Sequence, residues 1–369
     1  MKQVNVYTDG KGPYKVYGGC GYYRIVQPSK FLGIDVRKDF WSSFYVTVEE
    51  CIEKLYTEYD LCHMQRIENP EMVCGLIAGR DMYNQMGRNV KLIIDMDDDF
   101  INVSNDNPAR KVYDGKSKGW QCVKVLLTEA DGLTVSTDKL AELYSQFNSN
   151  IEVFPNLMDK DIWKFENKKH DDDILRIGWT GGNSHHSDLK WFTPVIKAIT
   201  DKYPNVRFSV MGYMPVEWID FDIIRGDSVT NADYPMGLAE QGYDIGIAPL
   251  EDTEFNQAKS PIKHFEYSML RIPSVCQKGE HLPYQNNGIE NETIVTAGSV
   301  DEWISALSML IEDETKRKLI GNNSYDYVTK HFSADRDTER RKQFYRDTYD
   351  GKRVNKYIGT EFGVFSKCS

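Results

Sequence analysis

The feature that most restricts this chain is an alternation of short apolar strands with helices that runs, stops and starts again. Residues 4–8, 61–66, 90–95, 132–137 and 151–156 read as strands, with helical patterns over 70–86 and 138–147 between them. A polar, highly charged stretch at 159–173 then breaks the rhythm and has the composition of an interdomain linker. The pattern resumes with strands at 174–179, 206–212, 243–250 and 272–276 and helices at 191–202, 300–311, 315–331 and 334–349. Strands alternating with helices predict parallel sheets covered on both faces, so the 369 residues divide into two Rossmann-like α/β domains.

In such sheets ligands gather beyond the strand C-termini, so the residues that follow each strand carry the information. The richest stretch is Lys259-Ser260-Pro261-Ile262-Lys263-His264-Phe265-Glu266-Tyr267, between strands 243–250 and 272–276. Ser260 is a favoured N-cap and Pro261 a favoured first helical residue, so a helix is expected to start here. Ile262, Phe265 and Met269 form its apolar face, while Lys263 and Glu266 share the neighbouring polar face. Free N–H groups and a positive dipole end suit a phosphate, and Glu266, one turn in, can accept two vicinal ribose hydroxyls. A plain crossover helix with exposed charges is the competing reading.

Three further stretches invite chemistry. Thr180-Gly181-Gly182-Asn183-Ser184-His185-His186-Ser187-Asp188 follows a strand, and its small residues and histidines suit a pyrophosphate or a sugar; a tight turn with a Ser/Asp cap is the alternative. Asp95-Met96-Asp97-Asp98-Asp99 gathers carboxylates that fit Mg²⁺ or Mn²⁺, or whose crowding raises a pKa towards general-base range, or that merely cap a helix. Gly18-Gly19-Cys20-Gly21-Tyr22-Tyr23-Arg24 follows the first strand without the GxGxxG spacing, which speaks against a dinucleotide oxidoreductase. A helix is expected from Pro28, with Arg24 pointing into the crevice above the sheet.

Composition narrows the class. No apolar run approaches a membrane span, and residues 1–30, with Lys2 and Lys11, lack the apolar core of a secretory signal. Seven scattered cysteines (Cys20, Cys51, Cys62, Cys74, Cys122, Cys276, Cys368) without a CxxC pair point to a reduced, cytoplasmic protein without structural zinc. A net charge of −11 argues against nucleic acid as a general partner. Two basic patches run the other way, Arg110, Lys111, Lys116, Lys118 and Lys124, and Arg336, Arg340, Arg341, Lys342 and Arg346; solvated faces are the commoner meaning of such runs.

Taken together, these residues resemble a GT-B glycosyltransferase of the group-1, GT4-like class, in a branch frequent in bacterial and phage genomes. The matching stretches are Gly19 to Arg24, Gln65-Arg66, Asp95 to Asp99, Thr134 to Thr137 with Val153 to Asn156, Gly178 to Asp188, and Ala248-Pro249-Leu250 followed by Asn256, Lys259, Ser260, Lys263, Glu266 and Tyr267. The resemblance implies two Rossmann-like domains facing a cleft, an acceptor domain over 1–158 and a donor domain over 172–333, with a helix in 334–369 returning to the first.

It also implies roles. Glu266 would hold the ribose, Lys259, Ser260 and Lys263 the diphosphate, and Gly181, Gly182 and His185 the phosphates or sugar. Arg24 would complete the clamp, and Asp97, Asp98 or Asp99 would orient or deprotonate the acceptor hydroxyl. Ala258 stands where the wider class often has a second glutamate. No permanent cofactor and no metal are implied; the co-substrate is a nucleotide-diphosphate sugar, a UDP-sugar first among them, with transfer metal-independent and retaining. The acceptor is a glycan, a small molecule, a protein or, as in phage base-modifying enzymes, hydroxymethylated DNA. A non-catalytic sugar-nucleotide-binding protein is the remaining alternative.

Overall fold

Each of the nine apolar runs becomes a strand in the computed structural model, which describes residues 1–9, 17–38, 47–227, 229–230 and 232–352 and the backbone of 357–359 and 365–367. Lys11 and Cys368 lie outside the described residues. The chain forms two units, one of Met1–Val103, Lys111–Asn156 and Ala334–Ser369 and another of Ser104–Arg110 and Leu157–Ser333.

The first unit is built on six strands: β1 (Gln3–Tyr7), β2 (Asp35–Lys38), β3 (Leu61–Gln65), β4 (Lys91–Met96), β5 (Gly132–Val135) and β6 (Ile151–Val153). They lie in the order β2-β1-β3-β4-β5-β6, every pairing parallel. The second unit carries β7 (Leu175–Gly181), β8 (Val206–Gly212), β9 (Ile224–Gly226), β10 (Ile245–Ala248), β11 (Ser274–Gln277) and β12 (Val295–Ala297). Their order, β12-β11-β10-β7-β8-β9, is also wholly parallel. In β3, β5, β10 and β11 every residue is buried, because helices cover both faces; their sequences are uncharged and do not alternate, and the polar members His63, Gln65, Thr134, Ser274 and Gln277 are buried with the rest. The edge strand β2 alternates exposed and half-buried residues, so it left no apolar signal.

Two expectations need correction. The charged stretch 159–173 is no linker: it packs on the second unit, where Trp163 is buried, Lys168 N–H donates to Ala239 O at 2.9 Å and Asn167 Nδ2 to Tyr243 O at 2.8 Å. Helical structure after β1 begins at Gly19 rather than Pro28, running through Gly19–Gly21, a π-helical Tyr22–Val26 and Gln27–Leu32. Its start is capped by a carboxylate from upstream. Asp9 accepts from Gly18 N–H at 3.0 Å and Gly21 N–H at 2.8 Å, and a Cβ on either glycine would fall 2.1 or 2.2 Å from that carboxylate. The glycines admit the chain's own anion.

The Thr338–Tyr349 helix belongs to the first unit and is tied to its sheet by a buried polar chain. Tyr345 OH bonds His63 Nδ1 at 3.0 Å, His63 Nε2 meets Thr134 Oγ1 at 2.9 Å, and Thr134 Oγ1 donates to Asp95 Oδ2 at 2.5 Å. Arg24, 1 % exposed, closes the chain by donating to Asp95 through Nε (3.0 Å) and Nη2 (2.8 Å) and to the Phe154 carbonyl. Removing the carboxylate would leave the guanidinium buried without its counter-charge. Asp95→Ala is therefore expected to destabilise the first unit by about 3–5 kcal/mol in urea unfolding; a loss below about 1 kcal/mol would show that Arg24 does not depend on it.

Candidate functional site

In an open parallel sheet the ligand crevice lies beyond the strand ends where the winding direction reverses. In the second unit that point falls between β7 and β10, so the segments after Gly181 and Ala248 should converge there. They do, and Asp188 fastens them together. Its Oδ1 accepts Glu251 N–H and Asn256 Nδ2, both at 2.8 Å, while Oδ2 accepts His185 Nδ1 at 2.7 Å. Burial raises the Asp188 pKa, but the bonds from His185 and Glu251 outweigh it and hold the carboxylate below its ordinary range.

The Ile262–Met269 helix brings the remaining groups. Its cap falls on Pro261 rather than Ser260, with Phe265 N–H bonding Pro261 O at 3.3 Å, and the proline ring offers no side-chain acceptor. The first-turn amides therefore have no side-chain cap at that position, and a helix's first N–H groups have no carbonyl in their own helix. Lys263 Nζ donates to Thr180 O at 2.6 Å and lies 5.4 Å over the Trp179 ring. Among the described residues that is its single hydrogen bond, and it enters no ion pair. Gly181 makes this approach possible, since a Cβ there would sit 2.7 Å from the Trp179 ring and 2.9 Å from Nζ. Desolvation lowers the Lys263 pKa; Glu266 opposes that and Lys259 adds to it. Lys259 is half-buried, with Nζ 4.5 Å over Phe255, and Gly182 is exposed and unobstructed. Glu266 is buried and accepts from Tyr234 OH at 2.9 Å.

Gly181, Gly182, His185, Lys259, Ser260, Lys263 and Glu266 are thus carried by the post-β7 loop and by the start of one helix of a single unit. Two participants escaped the sequence reading, Tyr234, which orients Glu266, and Glu251, whose N–H holds Asp188; Asn256 was named in the matching block but without its role of holding Asp188. Tyr234 precedes Pro235 at the start of the Tyr234–Glu240 helix, a cap-like signal that was readable but says nothing about Glu266. Ala258, where a second glutamate was sought, is wholly buried.

The first unit separates its candidates. Arg24 does not point into a crevice; it is the buried partner of Asp95. Asp99, fully buried, caps a turn by accepting Ile101 N–H at 2.9 Å and Asn102 N–H at 3.0 Å. Asp98 is half-buried, and its carbonyl accepts Tyr144 OH. Asp97 stands apart: Oδ1 meets Arg66 Nη1 at 2.5 Å, while buried Oδ2 accepts no N–H or hydroxyl among the described residues, with the Cys20 thiol as a neighbour of the carboxylate. Arg66 follows β3 at this sheet's own reversal, between β1 and β3. Among the described residues no cluster of histidine, cysteine and carboxylate side chains is arranged to hold a metal. The 336–346 patch is largely consumed by ion pairs, Arg340 with Glu152, Arg336 with Asp337 and Lys342 with Glu339, whereas Lys111, Lys116, Lys118 and Lys124 stay exposed. No described helix is long and apolar enough to cross a membrane.

No family model matches the chain, and no curated protein matches it. Solved structures do. Anabaena HepE, in a complex with UDP and glucose, superposes with a TM-score of 0.65 at 10 % identity, covering 94 % of this chain and 100 % of that one. The catalytic domain of Arabidopsis thaliana starch synthase IV, bound to ADP and acarbose, gives 0.65 at 10 % identity over 95 % and 99 %. The fold is GT-B. Sucrose-phosphate synthase of Thermosynechococcus elongatus gives 0.61 at 12 % identity over 95 % and 100 %, and TarM 0.57 at 12 %, where the match covers 82 % of this chain but only 58 % of TarM.

Desolvation lowers the His185 pKa to about 4, with Lys263 and Lys259 adding to the effect and the Asp188 bond opposing it. Between that value and the ordinary 6.5 the unfolded chain takes up a proton that the folded chain refuses, so this group's stability contribution is lost as pH falls from about 6.5 to 4. An NMR titration is expected to place the imidazole midpoint near 4, and Asp188→Asn to lower it further; a midpoint near 6.5 would contradict the described environment.

Proposed function

We propose that this protein is a glycosyltransferase that moves a sugar from a nucleotide-diphosphate sugar, a UDP-sugar first among them, to a hydroxyl acceptor. The observation that carries the reading is the under-satisfied Lys263 ammonium beside Lys259, at the start of the Ile262–Met269 helix and the end of β7. During transfer the bond from anomeric carbon to diphosphate oxygen breaks, a bond to the acceptor oxygen forms, and negative charge grows on the departing diphosphate. Lysines and helix N–H groups aimed at that charge each contribute roughly 10²–10³-fold. Glu266, set by Tyr234, takes the ribose hydroxyls. Neutral His185 donates Nδ1–H to Asp188 and so offers Nε2 as an acceptor, which fits a sugar hydroxyl rather than a phosphate oxygen.

Two features of the first unit bear on the acceptor. The Oδ2 of Asp97, which accepts no N–H or hydroxyl among the described residues, makes it the carboxylate we assign to the acceptor hydroxyl, in preference to Asp98 and Asp99. The exposed lysines from 111 to 124 give hydroxymethylated DNA a distinct signature among acceptors, retention that weakens steeply with salt. Lysines neutralising the leaving group do the work a divalent ion does elsewhere, so transfer is read as metal-independent, with the anomeric configuration retained.

Lys263→Ala and Glu266→Ala, shown folded, are expected to lower turnover of the donor roughly 10²–10³-fold, while EDTA leaves wild-type turnover unchanged. Donor hydrolysis in water, followed by NMR of the released sugar, measures both. Wild-type rates in the two variants would refute the assignment, and a protein that binds UDP without ever cleaving a UDP-sugar would be a binding module.

A further inference from the structure

Parallel strands place all their N-termini at one edge, and in the second unit that edge holds a feature the transfer reaction does not use. The entries to β7, β10 and β11, marked by Ile174, Asp244 and Pro273, border an open cavity of about 630 Å³. Small-molecule sites typically enclose about 300–1,000 Å³. Seven lysines and arginines line it against four aspartates and glutamates, in a chain of net charge −11. Some of these charges cancel, since Arg176 forks onto Asp172 at 2.7 and 2.8 Å and Lys318 pairs with Glu314. Others are offset only in part. Among the described residues Lys164 and Lys169 meet no acceptor and Arg317 hydrogen-bonds only to the carbonyls of Leu310 and Ile311, with Glu314 acting on Lys169 and Arg317 and Asp244 on Arg317 from a distance.

Arg271 is the most telling of the lining residues. It ends the Ile262–Met269 helix at a position where Ile272 N–H bonds Tyr267 O at 3.0 Å and its own N–H bonds Ser268 O at 2.9 Å. Its φ of 57° lies in the left-handed region that glycine normally fills at such helix ends. An arginine held there is strained where glycine would not be. The guanidinium lies 3.8 Å over the Tyr325 ring and donates from Nη1 to Asn322 Oδ1 at 3.0 Å, while its Nε–Nη2 edge has no acceptor among the described residues. A guanidinium held flat with one edge open can take two oxygens of a phosphate at once. We propose that this cavity binds a multiply charged phosphate through Arg271, Lys164, Lys169 and Arg317, at a site separate from the residues around Lys263.

The test titrates Lys263→Ala, which lacks the lysine proposed for the donor diphosphate, and Lys263→Ala/Arg271→Gly with inorganic phosphate, pyrophosphate and glucose 1-phosphate, read by thermal shift and calorimetry, with Arg271→Gly alone as the folding control. Glycine suits the left-handed backbone, so Arg271→Gly is expected to melt no lower than wild type, and lost binding is then not lost folding. Pyrophosphate should raise Tm by about 2–4 °C in Lys263→Ala but not in Lys263→Ala/Arg271→Gly. Under the proposal, glucose 1-phosphate binding tighter than inorganic phosphate identifies a sugar phosphate, and equal affinities identify the phosphate group alone. No shift in Lys263→Ala, or an equal shift in Lys263→Ala/Arg271→Gly, overturns it.

Discussion

An ammonium group short of partners is the constraint on which the second unit turns. Taking a charged amine out of water costs several kcal/mol unless hydrogen bonds and an opposite charge replace the solvent. Lys263 has one carbonyl, Thr180 O, and a second lysine nearby that makes matters worse. Glu266 and Asp188 act on it from a distance, and what the ammonium lacks among the described residues is an anion in contact. Gly181 exists to let it through, the proline cap leaves the helix start without a side-chain acceptor of its own, and Asp188 spends both carboxylate oxygens on protein donors.

The first unit solves the same problem the opposite way. Its cations are met from within: Arg24 by Asp95, Arg66 by Asp97, and the amides of Gly18 and Gly21 by Asp9. What remains there is a surplus on the other side, a carboxylate oxygen of Asp97 that accepts no N–H or hydroxyl among the described residues. A lysine without an ion-pair partner at the end of β7 suits a diphosphate, and a carboxylate oxygen to spare on Asp97 suits a hydroxyl. The division of labour we propose follows from that electrostatic difference.

How much could be read beforehand depended on where the signal lived. The central strands were legible because burial on both faces leaves short uncharged stretches such as Ile245–Ala248 and Ser274–Gln277, and the Lys263–Glu266 pair because helical spacing puts both on one face. Edge strand β2 was not, since its charged residues carry no apolar pattern. The stretch 159–173 looked like a linker because its charges are many, yet Trp163 and Asn167 dock it, and single docking residues are invisible to composition. Arg24 and Asp99 were misjudged for one reason: a charged residue after a strand looks the same whether it faces solvent or its own buried partner. Pairings such as Arg24–Asp95, 71 residues apart, exist only once the sheet has formed.

The most direct measurement is a structure of the protein with a nucleoside diphosphate bound. The account predicts diphosphate density against Lys263 Nζ and the first-turn amides of the Ile262–Met269 helix, with the ribose on Glu266. Density for the diphosphate away from that helix start, with Lys263 still bonded to Thr180 alone, would contradict it.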